Sequence, residues 1–267
     1  MKHKQVISSL SNPQIKNLLQ LQKKAKEREE QGIFVIEGIK MFEEAKDMGL
    51  LVKAYASESF FQQRFEENPE YFDGLEYEII TEAVFKEVSD TKTPQGIMGT
   101  VRASQYQPED LLRGEDTCLL LLEDIRDPGN LGTMIRTAEG AGITGIISSA
   151  ASVDLYNPKV IRATMGSIYR VPFCQTEDFQ QTLQLIKGQG ITIYAAHLQG
   201  MPYDTEGGFR KKCAFLIGNE ANGLSEQASA QADELIRIPM EGKVESLNAA
   251  VAAAILMYEA ARQRRSI

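Results

Sequence analysis

Three short stretches hold the residues whose types and spacing can do chemistry. The first, "RDPGNLGTMIRTAEGAG" from Arg126 to Gly142, is a glycine-rich turn fed by an apolar run. Between a strand and a helix, that is the local form that cradles phosphates. A P-loop needs a Gly-Lys-Ser/Thr ending, and no lysine stands between Arg126 and Lys159. A dinucleotide fingerprint needs G-x-G-x-x-G directly after the strand. Here Gly129 and Gly132 are three apart, and "AEGAG" comes only at the far end of the helix. What remains is a sharp "DPGN" turn and a helix carrying Thr133 and Arg136 in its first turns, with Asn130 expected as N-cap. In isolation Arg136 reads as a solvated or salt-bridged surface group. The two other stretches shift that weight.

In "FLIGNEANGLS", residues 215 to 225, an apolar strand ends in Gly218, Asn219 and Glu220, before a turn with Asn222 and Gly223. Ligands of parallel sheets bind beyond the carboxyl ends of strands, so Asn219 and Glu220 are expected to project there. In "IRIPMEGKVESLNAAVAAAIL" a strand ends at Pro239, and Ser246 is placed to cap a helix beginning near Leu247. That helix is thick with alanine at 249, 250, 252, 253 and 254. Small residues on several faces permit close approach by a helix, a subunit or a ligand, and equally reflect helix propensity.

The elements positioning these residues alternate along the chain. "PQIKNLLQLQKKAKEREEQG" has helical spacing and stops at Gly32. "IFVIEG", "LVKAYAS", the start of "YEIITEAVFKEVSD" and "TPQGIMGTVR" read as strands between helices, which predicts a small α/β unit over 1–103. Residues 104–116 are polar and acidic and read as a linker. From 117 to 267 the alternation restarts with "CLLLLEDI", a nearly continuous apolar strand of the kind buried on both faces of a parallel sheet. "NPKVIRATMGSIYR" reads as a helix of this second region and "SLNAAVAAAILMYEAARQ" as its last. A mainly parallel sheet with helices on both faces is expected.

The chain has 267 residues, 43% hydrophobic and 25% charged, enough for one large domain or two smaller ones. It shows no apolar run long enough to span a bilayer, and its start lacks the apolar core of a signal peptide, so the cytoplasm is the expected compartment. Cys118, Cys174 and Cys213 are widely separated and odd in number, so they suggest neither a disulfide framework nor a metal site. The net charge of −8 argues against uniform coating of nucleic acid. The ends are nonetheless basic: Lys2, Lys4, Lys16, Lys23, Lys24 and Lys26 at one, and Arg262, Arg264 and Arg265 at the other. Such ends suit a polyanion touching part of the surface, or are simply solvated charge.

Together and in this order, the three stretches resemble the SpoU (TrmH-like) family of RNA ribose 2′-O-methyltransferases, of the SPOUT superfamily. Its N-x-G-x-x-x-R motif stands as Asn130, Gly132 and Arg136, the second motif as Gly218-Asn219-Glu220, and the third as Ser246-Leu247-Asn248. The first 103 residues resemble the small substrate-binding domain of many members, through "FVIEGIKMFEEA" and "TPQGIMGTV". Ala221 departs from the second glycine many relatives carry there, and an alanine is tolerated unless the position needs φ > 0.

The resemblance implies an L30e-like N-terminal α/β domain and a C-terminal α/β domain with a deep trefoil knot. It implies S-adenosyl-L-methionine as cofactor, held by backbone groups near Gly218, Ile238 and Leu247, with Ala196 a fourth contact, and no metal. It further implies an RNA partner, ribosomal by analogy of architecture, with transfer RNA the alternative, and a homodimer packed across the knot. Arg136 would stabilise charge developing on the ribose oxygen, which suits a guanidinium better than proton abstraction. Glu220 would orient Arg136 or the ribose, or accept the proton, while Asn130, Ser246 and Asn248 shape the pocket. Phe34, Phe42, Tyr55 and Phe61 are expected to fill the small domain's core, with base stacking the less favoured use. The rival classes are a non-catalytic RNA-binding protein that keeps the fold and a nucleotide-dependent oxidoreductase.

Overall fold

Asn12 opens the first helix: its side chain accepts from the Gln14 N–H, and Pro13 takes the first helical position, where a missing N–H costs nothing. The computed structural model describes residues 5–204 and 208–265, so Lys2 and Lys4 lie outside the described residues. Two units emerge, one from the chain up to Ala103 together with Asp154–Gly166, the other from Ser104–Val153 and Ser167 onward.

In the first unit the long helix expected from "PQIKNLLQLQKKAKEREEQG" breaks at Lys24, whose backbone is extended, into α1 (Pro13–Lys23) and α2 (Ala25–Gln31). β1 (Ile33–Glu37), α3 (Ile39–Asp47), β2 (Leu51–Ser57), α4 (Glu58–Glu67), β3 (Tyr77–Ile80), α5 (Glu82–Val88) and β4 (Ile97–Arg102) follow. The sheet is mixed, in the order β1-β4-β2-β3, with only β2 and β3 parallel. Phe34, Phe42 and Tyr55 are buried in its core, and Phe61 is half-buried against Phe65, Phe72 and Tyr77. Lys24 and Lys26 pair loosely with Glu27 and Glu30, which leaves Lys16 and Lys23 as exposed cations of α1.

The second unit is built from β5 (Cys118–Leu122), α6 (Pro128–Ala141), β6 (Gly145–Ser149), β7 (Phe173–Thr176), α8 (Phe179–Gly188), β8 (Thr192–Pro202), β9 (Cys213–Ile217), α9 (Glu226–Gln231), β10 (Glu234–Arg237) and α10 (Ala249–Arg265). Its six strands are all parallel, in the order β10-β8-β9-β5-β6-β7. Every residue of β5, β6 and β9 is buried, which matches the continuous apolar runs of a sheet covered on both faces.

Several local expectations are corrected. Residues 104–116 are not a free linker: they hold a short 3-10 turn whose Leu111, with Leu112, packs into the second unit's core. "NPKVIRATMGSIYR" is not one helix, because α7 (Pro158–Thr164) ends where Met165 enters the left-handed region at φ 52. That helix groups with the first unit, where Asp154 takes an ion pair from the buried Arg28, Tyr156 stacks on Phe34 at 4.5 Å, and Arg162 pairs with Asp90. All three cysteines are buried and free, but Cys118 and Cys213 are partners on adjacent strands, their sulfurs 3.7 Å apart. Of the basic C-terminus, Arg264 is used internally, while Arg262 and Arg265 stay exposed. Arg262 pairs with Glu259, and the Arg264 guanidinium donates to the carbonyls of Phe209, Asp116, Thr117 and Lys211. No helix among the described residues is long and apolar enough to cross a membrane, and no cluster of metal-ligating side chains occurs among them.

Candidate active site

The turn after β5 is organised by its own amides. Asp127, not Asn130, is the N-cap of α6: its carboxylate accepts from the Asn130 N–H at 2.7 Å, and Pro128 sits at the first helical position. The helix therefore starts earlier than expected, which frees the Asn130 side chain and moves Arg136 into the third turn. Asn130 donates through Nδ2 to Glu220 at 3.0 Å, and its Oδ1 accepts from Asn248 Nδ2, also at 3.0 Å.

Asn248 in turn caps α10, its Oδ1 accepting from the Ala250 N–H at 2.9 Å and the Val251 N–H at 3.3 Å. Ser246, expected in that role, lies two residues upstream in the loop. The asparagine wins because the helix begins at Ala249. A chain of hydrogen bonds, Glu220 to Asn130 to Asn248, thus ties the first, second and third motif stretches together.

Glu220 also accepts from the N–H groups of Arg126 and Asp127, both at 3.1 Å. Partial burial pushes its carboxyl up. The Asn130 amide, its own backbone and the N–H groups of Arg126 and Asp127 outweigh that and hold its pKa below the ordinary carboxylate value. Asn219 folds the neighbouring turn. Its Oδ1 accepts from the N–H groups of Ala221 and Asn222, and its Nδ2 donates to the Asp124 carbonyl at 2.7 Å. The left-handed residue of this turn is Gly223, at φ 68, so Ala221 occupies a position that does not need glycine.

Gly218 is required by contact, not by its own φ. A Cβ there would lie 2.3 Å from backbone atoms of Gly223 and Leu224. Similarly, β8 leaves its register with β10 between Ala195 and Met201, so that 196–200 bulge, and a Cβ on Gly200 would strike the backbone of Leu235 and Ile236 at 2.5 Å.

Two clefts share a wall here. The first, about 310 Å³, is lined by apolar groups including Ile217, Ile236 and Met240 and by all four residues expected to hold a cofactor: Ala196, Gly218, Ile238 and Leu247. The second, about 690 Å³, brings together the polar side chains of Arg126, Asp127, Asn130, Glu220, Ser246 and Asn248. Asn219, Glu220, Ala221, Ser246, Leu247 and Ala249 face both. Of the alanines in α10, Ala249 and Ala252 line the first cleft, while Ala250 and Ala253 are buried in the protein.

Arg136 is the exception. It is exposed, lines neither cleft, and has no hydrogen-bond or ion-pair partner among the described residues. Sequence reasoning missed the amides of Arg126 and Asp127 as partners of the carboxylate, since nothing in a one-letter code marks a backbone donor. It also missed Asp124, whose backbone is left-handed at φ 55.

Residues 117–258 match the SpoU rRNA Methylase family, and residues 12–99 match the MRM3-like substrate binding domain. The chain is 33% identical over 254 residues to the Bacillus subtilis 23S rRNA (guanosine(2553)-2′-O)-methyltransferase RlmP, covering 94% of this chain and 97% of that one. The chain belongs to the SpoU family. Among solved structures, the AdoMet-bound rRNA methyltransferase from Sinorhizobium meliloti superposes with a TM-score of 0.83 at 32% identity, covering 97% of each chain. The SpoU methyltransferase AviRb from Streptomyces viridochromogenes, at 24% identity, shares the fold, with a TM-score of 0.81 over 96% of this chain and 98% of that one. The Asn130, Gly218-Asn219-Glu220 and Ser246-Leu247-Asn248 stretches of this SpoU member are therefore the ones its fold gathers at one pair of clefts.

Proposed function

We propose that this protein transfers a methyl group from S-adenosyl-L-methionine to the ribose 2′-hydroxyl of one nucleotide in ribosomal RNA, in the cytoplasm. The observation that carries the reading is the shared wall. Two clefts meet along Asn219–Ala221 and Ser246–Leu247, so two ligands in them would face one another across Glu220. The first cleft fits the cofactor: it falls in the size range of small-molecule sites, with apolar walls for an adenine and loop backbone for polar groups. The glycine at 218 lets the backbone of Gly223 and Leu224 close against the strand end that lines it. Ala196, Gly218, Ile238 and Leu247 would hold it. When bound, it supplies a methyl carried on a sulfonium, open to in-line displacement.

The chain's own residues align and stabilise. Glu220, ionised and already accepting three hydrogen bonds, is an organiser of the wall and a poor proton acceptor. Asn130 and Asn248 fix the second cleft, with Ser246 among its lining residues. Arg136 supplies fixed positive charge for the ribose oxygen and its flanking phosphate. Because it lines neither cleft of its own chain, we assign it to the cleft of a second copy. Val251 and Tyr258, seven residues apart on one face of α10, are exposed apolar groups suited to such a homodimer contact. The trefoil knot belongs to this proposal too, as does a division of labour in which residues 1–103 bind RNA and 117–267 perform the transfer.

Mapping 2′-O-methyl sites in total RNA with and without the protein tests the reading. A ribosomal position that disappears in its absence is the expected result. Loss of a transfer RNA position would redirect the substrate, and no loss at all would leave a non-catalytic RNA-binding protein. In purified enzyme, Arg136→Ala should cut tritium transfer by about 10²-fold or more while S-adenosylhomocysteine binding stays near wild type.

A further inference from the structure

The loop from Glu123 to Asp127 has all of its backbone amides committed. The Glu123 N–H donates to the Ile217 carbonyl at 2.9 Å, the Asp124 N–H to Ser149 Oγ at 2.8 Å, and the Ile125 N–H to Ser152 Oγ at 3.2 Å. The next two, of Arg126 and Asp127, hold the Glu220 carboxylate. A five-residue loop with no free donor is set to one path.

The path turns at Asp124, whose φ of 55 lies in the left-handed region that aspartate tolerates better than most residues but still at a cost. Three contacts stabilise that conformation. Ser149 Oγ accepts from the Asp124 N–H and donates back to Asp124 Oδ1 at 2.7 Å, while the Asp124 carbonyl accepts from Asn219 Nδ2 at 2.7 Å. Ser149 and Ser152 are buried, at 6% and 7% exposure, and stand at and just beyond the end of β6. Beneath them, Gln175 Nε2 donates to the Ser149 carbonyl at 3.0 Å, and Ile125 accepts at its carbonyl from the Val153 N–H. Of this polar cluster, Asp124, Ser149, Ser152 and Gln175 line neither cleft.

From this arrangement we infer that Asp124 and Ser149 are positioning residues for methyl transfer. They hold the loop in the turn that aims the amides of Arg126 and Asp127 at Glu220 and sets Asn130 between Glu220 and Asn248. Asn219 couples the device to the cofactor side, since the same side chain shapes the 219–223 turn with its oxygen and grips Asp124 with its nitrogen. A loop that relaxed at Asp124 would keep its cleft-facing residues but misplace them, and misplacement of about 1 Å can cost about 10²-fold in rate. The inference rests on the proposed transfer reaction.

The test is steady-state tritium transfer from labelled S-adenosyl-L-methionine to total RNA from cells lacking the protein. It is run alongside calorimetric titration with S-adenosylhomocysteine and a thermal melt. Ser149→Ala and Asp124→Ala should lower kcat by roughly tenfold or more, with KM for RNA and affinity for S-adenosylhomocysteine within about twofold of wild type. Asp124→Asn should recover most of the loss, because asparagine accepts φ > 0 and keeps an oxygen for the Ser149 hydroxyl. Asp124→Gly, which permits the turn but lacks that oxygen, should fall between and stays informative if the alanine variant fails to fold. A kcat within twofold of wild type in both Ser149→Ala and Asp124→Gly would overturn the inference. So would parallel losses of melting temperature and S-adenosylhomocysteine affinity with no rescue by Asp124→Asn. An inactive wild-type enzyme would instead sink the transfer reading itself.

Discussion

At the scale of single residues, the site turns on what one carboxylate is used for. Glu220 accepts from two backbone amides and from Asn130, and those donors hold its pKa down against the opposing push of burial. A depressed folded-state pKa means the group contributes stability that is fully present above its unfolded value and is lost as pH falls through the folded one. Wild type should therefore be more stable than Glu220→Gln at neutral pH. That advantage should begin to shrink once pH drops below the ordinary carboxylate value of about 4.3 and vanish below the depressed one. Denaturant midpoints of the two proteins across an acid series check this, and a constant gap would contradict it. The same depression bears on catalysis: between about pH 5 and pH 8 the carboxylate does not titrate, so the kcat profiles of wild type and Glu220→Gln should run parallel. An inflection present only in wild type would reinstate Glu220 as the proton acceptor.

At the scale of elements, turns and helix starts decide where the functional side chains end up, and a missing Cβ makes one of those turns possible. Gly218→Ala would push a carbon to within 2.3 Å of the Gly223 and Leu224 backbone, so the turn carrying Asn219 and Glu220 must shift. Overpacking of this kind costs about 1–3 kcal/mol. We expect a lower melting temperature and, because Gly218 lines the first cleft, an S-adenosylhomocysteine Kd raised roughly tenfold or more. Unchanged affinity in calorimetry would separate the glycine from the cofactor.

These same turns show how far the sequence could be read. The buried strands were legible because Cys118–Leu122 and Cys213–Ile217 are unbroken apolar runs, and the three motif stretches were legible as residue types at fixed spacing. Cap assignment was not. Asp127, Asn130, Ser246 and Asn248 are all good caps, and the choice depends on where the helix begins. Pro128 marked the start of α6, but nothing local marked Ala249 as the start of α10. The grouping of 154–166 with the first unit was illegible for a different reason: it rests on Arg28, Phe34 and Asp90, partners distant in sequence. The amide ladder of 123–127 leaves no trace in side-chain identity at all.

At the scale of the whole molecule, the displaced arginine sets the question. Six residues beyond Asn130 on α6, Arg136 lies about 9 Å further along the helix axis and on another face. It is exposed and unpaired among the described residues, whereas Asn130, Glu220, Ser246 and Asn248 all line one cleft. On our proposal that Arg136 serves the transfer, a cleft that Arg136 of the same chain does not line is completed most simply by a second copy related by a two-fold axis. Arg136→Ala and Glu220→Ala should each be nearly inactive alone. If Arg136 acts in trans, unfolding and refolding the two together should restore activity. Random pairing makes about half the dimers mixed, and each mixed dimer has one cleft with an intact carboxylate facing an intact arginine, so about a quarter of wild-type activity should return. If Arg136 serves its own chain, every cleft in the mixture lacks one of the two groups and nothing returns. The tritium-transfer rate of the refolded mixture, compared with wild type treated identically, decides between the two.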